Sequence, residues 1–303
     1  MKAKTLRRLL SPLAWLPSGA LYGLSSVAAV ALHRIVRYRR KVVRANLAAS
    51  FPALPEKERR DIERRFYRNF TDNFVETLKL LHISDAEMTR RMEFEGTDII
   101  DSLMDRGKSI VVYFGHFFNW EWAPSISLHT RHKPSDDVVF AQIYRPLRSA
   151  AFDGLMLGIR SRFGSESIDK KLALRRLLQY RREGRLSITG FMSDQHPSHG
   201  DPGLVTTLME QPTAVITGTE TLARRLGMAV IYWDMERLSR GHYRITTRLI
   251  ADDAAAQPEG EITRRYARML ETTIRRDPSI WLWSHKRWKH KVILTENESR
   301  TVS

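Results

Sequence analysis

Cysteine is absent from the 303-residue chain. Disulfide bonds, thiolate metal sites and a covalent thioester on the chain itself are therefore excluded. Several motifs that mark particular chemistries are missing as well: no G-x-G-x-x-G follows a strand-like run, and P-loop, G-x-S-x-G and zinc-finger spacings do not occur. Nucleotide-binding and serine-hydrolase functions thereby lose their main support in the sequence.

The chain has fewer acidic than basic residues. The chain has 34 acidic residues against 50 lysines and arginines, which gives a formal net charge of +16. Such a balance favours anionic partners, namely nucleic acid, an acidic carrier protein or a phosphate-bearing membrane, and charge alone does not choose among them. Hydrophobic residues make up 42% of the chain, which is ample for a packed core.

The N-terminal region carries a long apolar stretch, Leu9 to Leu32, with basic residues on both sides. Its length is about enough to span a bilayer, but serine, proline and glycine dilute it, so spanning and interfacial helices both fit. A basic run follows it instead of a small-residue cleavage site, which disfavours a signal peptide. We expect residues 1–45 to form a retained membrane anchor and residues 46–303 to form one domain.

Strand-like and helix-like segments alternate along the remaining chain. An apolar stripe with a four-residue period predicts a long amphipathic helix from Glu56 to Leu81, and its phenylalanines fit core packing better than lipid binding. Short apolar runs predict strands at Ile110–Phe114, Val138–Ile143, Leu186–Met192, Met228–Asp234 and His242–Leu249. The sequence therefore predicts an α/β fold with a mixed central sheet flanked by helices, plus the N-terminal membrane-anchoring helix.

The stretch from Ser109 to Trp122 is where we expect chemistry. Gly115 ends its apolar strand, His116 follows, and Glu121 lies five positions further on, about 140° away on a continuous helix. If a helix begins only at Asn119, Glu121 can fold back towards the imidazole, fix its tautomer and leave the other nitrogen free to take a proton. A shielded histidine beside a helix-start glutamate fits the spacing equally well.

Polar residues also follow the next two predicted strands. Arg145 and Arg148 come after the second strand, and Arg145 is suited to pairing with a phosphate through its planar fork of donors. Asp194 follows the third strand. An ordinary surface cation is the alternative for either arginine.

A histidine-rich turn lies just beyond Asp194. His196, His199 and Asp201 include types of residue that bind metals, but proline and glycine make the segment an irregular turn. We therefore predict no metal site there.

Four segments in order resemble the glycerolipid and lipid A acyltransferases. Gly115 to Glu121 is similar to their H-x4-D/E motif, Tyr144-Arg145-Pro146 to their second block, and Ser193-Asp194-Gln195 to their D-Q block. Trp281 to Lys289 resembles the C-terminal signature of the bacterial lipid A late acyltransferases, and its tryptophans fit either a membrane interface or packing against the body. Together these segments extend the resemblance over roughly residues 5 to 290.

The resemblance implies an O-acyltransferase in which His116 activates a hydroxyl and Glu121 orients it, with no metal or cofactor. It implies substrate-binding or loop-organising roles for a further set of residues, Asn119, Arg145, Arg148 and Asp194. The donor would be an acyl carrier protein or coenzyme A thioester, and the acceptor a phosphorylated lipid A precursor at the cytoplasmic face of the cell inner membrane. Lacking cysteine and a serine elbow, the chain fits direct attack by the acceptor hydroxyl.

Two other functions stay open from the sequence. One is a related acyltransferase that acts on lysophospholipid or another glycolipid. The other is a basic, membrane-attached protein that binds nucleic acid; its charge fits, but no recognition motif accompanies the charge, so nucleic acid is the less favoured partner.

Overall fold

The computed structural model describes residues 2–198, 203–289 and 292. Within these ranges the α-helices are α1 (Ala3–Trp15), α2 (Ser18–Val30), α3 (Arg40–Ser50), α4 (Glu56–Lys79), α5 (Asp85–Arg91), α6 (Thr97–Asp105), α7 (Ala150–Arg160), α8 (Ala173–Arg182), α9 (Gly218–Leu226) and α10 (Glu261–Arg276). The strands are β1 (Met92–Glu95), β2 (Ile110–Phe114), β3 (Val138–Tyr144), β4 (Glu166–Asp169), β5 (Leu186–Met192), β6 (Leu204–Leu208), β7 (Gln211–Val215), β8 (Ala229–Ser239) and β9 (His242–Ala251).

Seven of the strands form one sheet in the order β1-β9-β8-β2-β5-β3-β4. The run from β8 to β4 is parallel throughout, whereas β8 and β9 pair antiparallel as a hairpin. Strand β1 pairs parallel to β9 at the far edge, and β6 and β7 form a separate antiparallel hairpin. The predicted mixed α/β fold is confirmed.

The core lies on both faces of the central strand β2, which is buried at all five positions. Tyr113 stacks on Tyr266 of α10 with ring centroids 4.4 Å apart. On the other face Phe114 packs beside Trp233 of β8 at 5.7 Å. A strand that is covered on both faces needs a continuous apolar run, and that run is why the sequence predicts β2.

Helix α4 confirms the predicted long amphipathic helix, but its aromatic stripe is only partly core. Phe66 is fully buried and Phe70 half-buried, while Phe74 is 55% exposed. The next positions around the helix, Asp72 and Glu76, are buried instead. Because α2 packs against that polar side, Phe74 is turned away from the core.

The apolar N-terminal stretch forms two helices, not one. Helix α1 contains Pro12 and ends at Trp15, and α2 begins after Pro17 and continues as a π-helical segment, Ala31–Val36. In the part of the chain that the structure describes, Ser18–Val36 is long and apolar enough to cross a membrane by length and composition. It is a candidate membrane anchor, as predicted.

Candidate active site

The candidate site lies where β2 and β5 end. These strands are parallel neighbours, and Phe114 pairs with Met192 in their register. His116 lies two residues after Phe114, and Asp194 lies two residues after Met192. Because the two strands are paired in this register, the two side chains come together. The crevice at the carboxyl ends of parallel strands is the usual ligand site of open α/β sheets.

His116 and Asp194 form a tight pair. The imidazole Nδ1 lies 2.6 Å from Oδ1 of Asp194, and the backbone N–H of His116 donates to Oδ2 at 2.9 Å. The indole N–H of Trp281 also donates to Oδ2, at 2.8 Å. Both carboxylate oxygens are therefore held, and the imidazole is fixed in orientation.

The ionisation of Asp194 sets the roles of the two ring nitrogens. Burial acts to raise the pKa of Asp194, but the charge of His116 and the hydrogen bonds from His116 and Trp281 lower it to about 2. The ionised carboxylate only accepts, so it holds a proton on Nδ1, and in the neutral imidazole Nε2 then presents its lone pair. Nε2 faces the side-chain amide nitrogen of Gln195 at 3.2 Å.

The loop that carries His116 is fixed by close packing. Phe117 forms an isolated β-bridge with Trp281, and the N–H of Phe118 donates to the carbonyl of Ile280 at 3.0 Å. A Cβ at Gly115 would lie 2.7 Å from the ring of Phe117 and 2.8 Å from Leu270. A Cβ at this strand exit would therefore force the ring of Phe117 or the side chain of Leu270 to move.

Glu121 is not the hydrogen-bond partner of the imidazole. Its carboxylate receives two bonds from Arg160 of α7, at 2.8 and 2.6 Å, and one from the indole of Trp120 at 3.0 Å. Glu121 lies in the first turn of a 3-10 helix, Trp120–Leu128, and this turn directs its side chain to α7 instead of back to the strand exit. The predicted orienting contact is therefore corrected: Asp194 contacts the imidazole, and the buried Glu121 forms an ion pair with the half-buried Arg160.

A cavity of about 460 Å³ opens beside this pair. Its polar wall includes His116, Glu121, Arg160 and Gln195. Its apolar wall is made of side chains from the sheet and the 3-10 helix, among them Phe114, Ala123, Ile126, Phe140, Ile143, Ile188, Met192 and Trp233. From Met192 to Ile188 the wall extends four residues along β5, about 13 Å, so the cavity is long as well as apolar.

Of the two predicted strand-exit arginines, one lines the cavity and the other does not. Arg145 lines it and is exposed, at its rim beside Leu147 and Lys170. Arg148 is exposed too but is not among the described lining residues. Arg160, the arginine that enters the cavity wall, was missed because nothing in the pattern of α7 distinguishes it from an ordinary last-turn cation.

Asn119 is fully buried and does not line the cavity within the described part of the chain. Its Oδ1 accepts the N–H of Glu121 at 3.1 Å, and its amide N–H donates to Glu76 of α4 at 3.3 Å. Tyr243 donates to the same carboxylate at 2.8 Å. This placement favours loop organisation over substrate contact for Asn119.

Glu76 is a site neighbour that sequence reasoning missed. It is 1% exposed, and burial raises its pKa to about 7, with Asp72 adding to the rise and the hydrogen bond from Tyr243 opposing it. The Trp122 indole donates to its backbone carbonyl at 3.1 Å. In the sequence, the only sign that Glu76 is buried is its position within an apolar stripe, and the same position also fits a glutamate exposed to solvent on a helix.

The C-terminal tryptophan segment packs against the body. Trp281 and Trp283 are buried, and their rings meet edge to face with centroids 4.7 Å apart. Arg287 is 2% exposed and donates to the carbonyl of Ala214 at 2.7 Å; burial lowers its pKa to about 10. Of the two predicted positions for these tryptophans, packing is the one observed.

The histidine-rich turn is described only in part. His196 lies near the site, whereas His199 and Asp201 fall outside the described residues. Among the described residues, no group of three or more histidine, cysteine or acidic side chains is arranged to hold a metal ion.

Comparison with known proteins identifies the family. A family model described as bacterial lipid A biosynthesis acyltransferase matches residues 8–290. A lipid A biosynthesis acyltransferase of Haemophilus influenzae is 24% identical over 254 residues, which cover 83% of this chain and 78% of that protein. The family match begins within α1 and includes α2, the sheet and the tryptophan segment.

Proposed function

The chain belongs to the bacterial lipid A biosynthesis acyltransferase family, and from that premise we propose that His116 is its general base in fatty acyl transfer to a lipid A precursor. The observation that carries the proposal is the His116–Asp194 pair at the mouth of a long apolar cavity. A positioned base and a place for a hydrocarbon chain are what transfer of an acyl group to a hydroxyl requires.

In the proposed reaction, Nε2 of His116 takes the proton of the acceptor hydroxyl while that oxygen attacks the thioester carbonyl of the donor. The tetrahedral intermediate then collapses, the C–S bond breaks, and the departing thiolate takes the proton from the imidazolium. Asp194 keeps the proton on Nδ1 and stabilises the imidazolium while it exists. The chain supplies no nucleophile, in keeping with its lack of cysteine.

The cavity offers the substrate an apolar wall and a charged rim. We assign the acyl chain to the apolar wall along β5 and β3, since burying each methylene is favourable by about 0.8 kcal/mol. The exposed Arg145 at the rim is placed to pair with a phosphate of the donor's pantetheine arm or of the acceptor. Glu121 acts indirectly, by holding Arg160 in the wall at 2.6 Å.

The acceptor's chemistry fits the charge and location we propose. A phosphorylated glycolipid and an acyl carrier protein or coenzyme A thioester are all anionic, and the chain carries +16. The candidate anchor at Ser18–Val36 supports placement at the cell inner membrane, with the site on the cytoplasmic side where such thioesters occur.

The test is to incubate the purified protein with long-chain acyl carrier protein or acyl coenzyme A, and with under-acylated lipid A precursor or lysophospholipid. Gain of one acyl group by the precursor alone, followed by lipid mass and lost in His116→Ala, supports the proposal. His129→Ala is the matched control, because His129 is a half-buried histidine away from the cavity wall. Transfer only to lysophospholipid would reassign the acceptor, and no transfer to either would refute the proposal.

A further inference from the structure

The N-terminal helices present an apolar surface that nothing in the described chain covers. Eight large apolar side chains are exposed there, and we call them the apolar ribbon: Leu9, Leu13, Trp15, Leu24, Val27, Val30, Ile35 and Val36. Val27 is 70% and Ile35 77% exposed. Exposed apolar side chains gathered in one part of a protein in this way mark an interaction site.

The opposite side of α2 and its π-helical extension is polar and docked on α4. Three contacts run along its length, Tyr22 Oη to Glu76 Oε1 at 2.9 Å, Ser25 Oγ to Asp72 Oδ1 at 2.6 Å and His33 Nε2 to Glu63 Oε1 at 2.8 Å. As the chain advances along α2, its partners step backwards along α4, so the two helices are antiparallel over the whole segment. All three carboxylates are buried, and undocking would leave them without these partners.

Both ends of the segment are attached to the same globular body. Before it, Ser11 of α1 hydrogen-bonds His82 at 2.5 Å, and Trp15 stacks on the same imidazole at 4.4 Å. After it, Asn46 of α3 donates to the carbonyls of Trp283 and His285 at 2.8 and 2.9 Å. A 19-residue helix is about 28 Å long, so a spanning segment would place these two attachments on opposite sides of the bilayer.

We propose that the segment from Leu9 to Val36 lies in the plane of an anionic membrane surface, with the apolar ribbon in the lipid, and does not cross the bilayer. The ribbon's two ends carry the charges that such a surface attracts. The exposed basic residues are Lys2, Lys4, Arg7 and Arg8 at one end and Arg34, Arg37, Arg39 and Lys41 at the other.

A chain of aromatic contacts links the end of the ribbon to the loop of the candidate site. Tyr38, which follows the π-helical segment, stacks on Phe70 of α4 at 5.8 Å, and Phe70 meets Phe118 at 6.1 Å. Phe118 in turn contacts Trp120 beside His116. The end of the ribbon is therefore linked to the His116 loop through packed aromatic rings, with Phe118 itself fully buried.

Single-cysteine labelling tests the topology, because the chain has no cysteine of its own. Lys4→Cys reports on the residues before the segment and Lys57→Cys on the body, both at exposed positions. With a membrane-impermeant maleimide, both variants should react in inverted inner-membrane vesicles and neither in intact spheroplasts. Reaction of Lys4→Cys only in spheroplasts would show a spanning helix and overturn the proposal.

A cross-link tests docking in the membrane-bound protein. The hydroxyl oxygens of Ser25 and Thr71 are 2.9 Å apart, so the Ser25→Cys/Thr71→Cys pair should oxidise to an intrachain disulfide in membranes, seen as faster gel migration. Val27→Cys/Thr71→Cys is the matched control, since Val27 faces outward. Failure of the first pair to cross-link, or cross-linking of Val27→Cys to a second copy, would refute in-plane docking.

Flotation with vesicles of anionic phospholipid tests the lipid partner directly. Val27→Asp and Ile35→Asp should each lower the bound fraction by about tenfold, because each removes apolar burial and adds repulsion. Leu249→Asp is the control, an exposed apolar residue of β9 outside the ribbon. Equal loss in all three variants, or no flotation of the unaltered protein, would reject the lipid surface as the partner; none of these measurements depends on acyl transfer.

Discussion

Replacing Asp194 by asparagine separates its role from that of Glu121. Asparagine keeps the size of the side chain but can present an N–H to Nδ1 of His116, which would move the imidazole proton to Nε2 and block the base. It also removes the charge that stabilises the imidazolium. Loss of the equivalent carboxylate in a serine-protease triad costs about 10⁴ in kcat, so we expect kcat to fall by about 10³ to 10⁴ with a small change in KM.

The same carboxylate also contributes to stability. Its pKa falls from an ordinary 3.8 to about 2, which corresponds to about 2 kcal/mol at 1.36 kcal/mol per unit. Since the folded-state pKa is the lower one, this contribution is present above about pH 4 and is lost as the pH falls towards 2. Asp194→Asn should therefore be less stable by about 2 kcal/mol at pH 7, and the difference should vanish near pH 2.

The assay combines acyl-transfer kinetics with urea unfolding at several pH values. Asp101→Asn is the matched control, because Asp101 is a buried carboxylate bonded to the Arg131 backbone and lies away from the cavity. The reasoning fails if folded Asp194→Asn keeps more than a tenth of the unaltered kcat. If Glu121→Gln instead shows the large kcat loss, the imidazole is oriented by Glu121 during the reaction.

Three further changes test other parts of the site. A side chain at Gly190 would place its Cβ 3.1 Å from Phe114 in the cavity wall and should shorten the acyl chain that fits. For Gly190→Val we expect kcat/KM to fall at least about tenfold more for long than for short acyl donors. An unchanged dependence of kcat/KM on chain length would contradict this. Glu121→Met should destabilise the fold by up to about 3 kcal/mol, because it removes the carboxylate that pairs with the half-buried guanidinium of Arg160. Adding Arg160→Met should restore most of the loss in urea unfolding. No recovery in the double variant would mean that the pair matters for more than charge balance. Between pH 4.5 and 7 the folded protein holds a proton on Glu76 that the unfolded chain has lost, so the free energy of unfolding should fall by about 3 kcal/mol as the pH rises over that range. Glu76→Gln should flatten this dependence of stability on pH. An unchanged dependence would count against the raised pKa of Glu76.

Strands were predictable where they lie deep in the sheet. β2, β3, β5 and β8 are covered on both faces and read as continuous apolar runs. The four-residue strands β1 and β4 were missed because half-exposed sequences such as Met92–Glu95 and Glu166–Asp169 alternate with acidic residues. Their strand conformation comes from pairing with a neighbour, which local pattern does not reveal.

The hairpin β6–β7 was not predicted because the residues of its turn are unusual for a hairpin. Met209 and Glu210 both have positive φ, at 53° and 63°, in a two-residue loop that usually selects asparagine or glycine. The strain is offset by burial of Met209 and by its N–H, which donates to Glu271 at 2.9 Å. The tertiary contact overrides the local preference, so no turn signal is left in the sequence.

The partner of His116 was beyond the reach of spacing along the chain. Glu121 is five residues away and Asp194 is seventy-eight, yet strand order makes Asp194 the neighbour because β5 lies beside β2. The sequence located each residue correctly at a strand exit. Without the order of strands in the sheet, it contained no information on which exits meet.

The N-terminal segment shows the same limit in its clearest form. Hydropathy treats its serines and its histidine as dilution of a membrane helix, yet Ser25 and His33 lie on the one side that meets buried carboxylates of α4. Those carboxylates, Asp72 and Glu63, look like ordinary solvated helix positions when α4 is read alone. Each helix carries polar residues that make sense only against the other. A polar side on an apolar helix, matched to a buried acidic side on its neighbour, is the pattern we expect of a helix that stays docked on its own protein while its other side meets lipid.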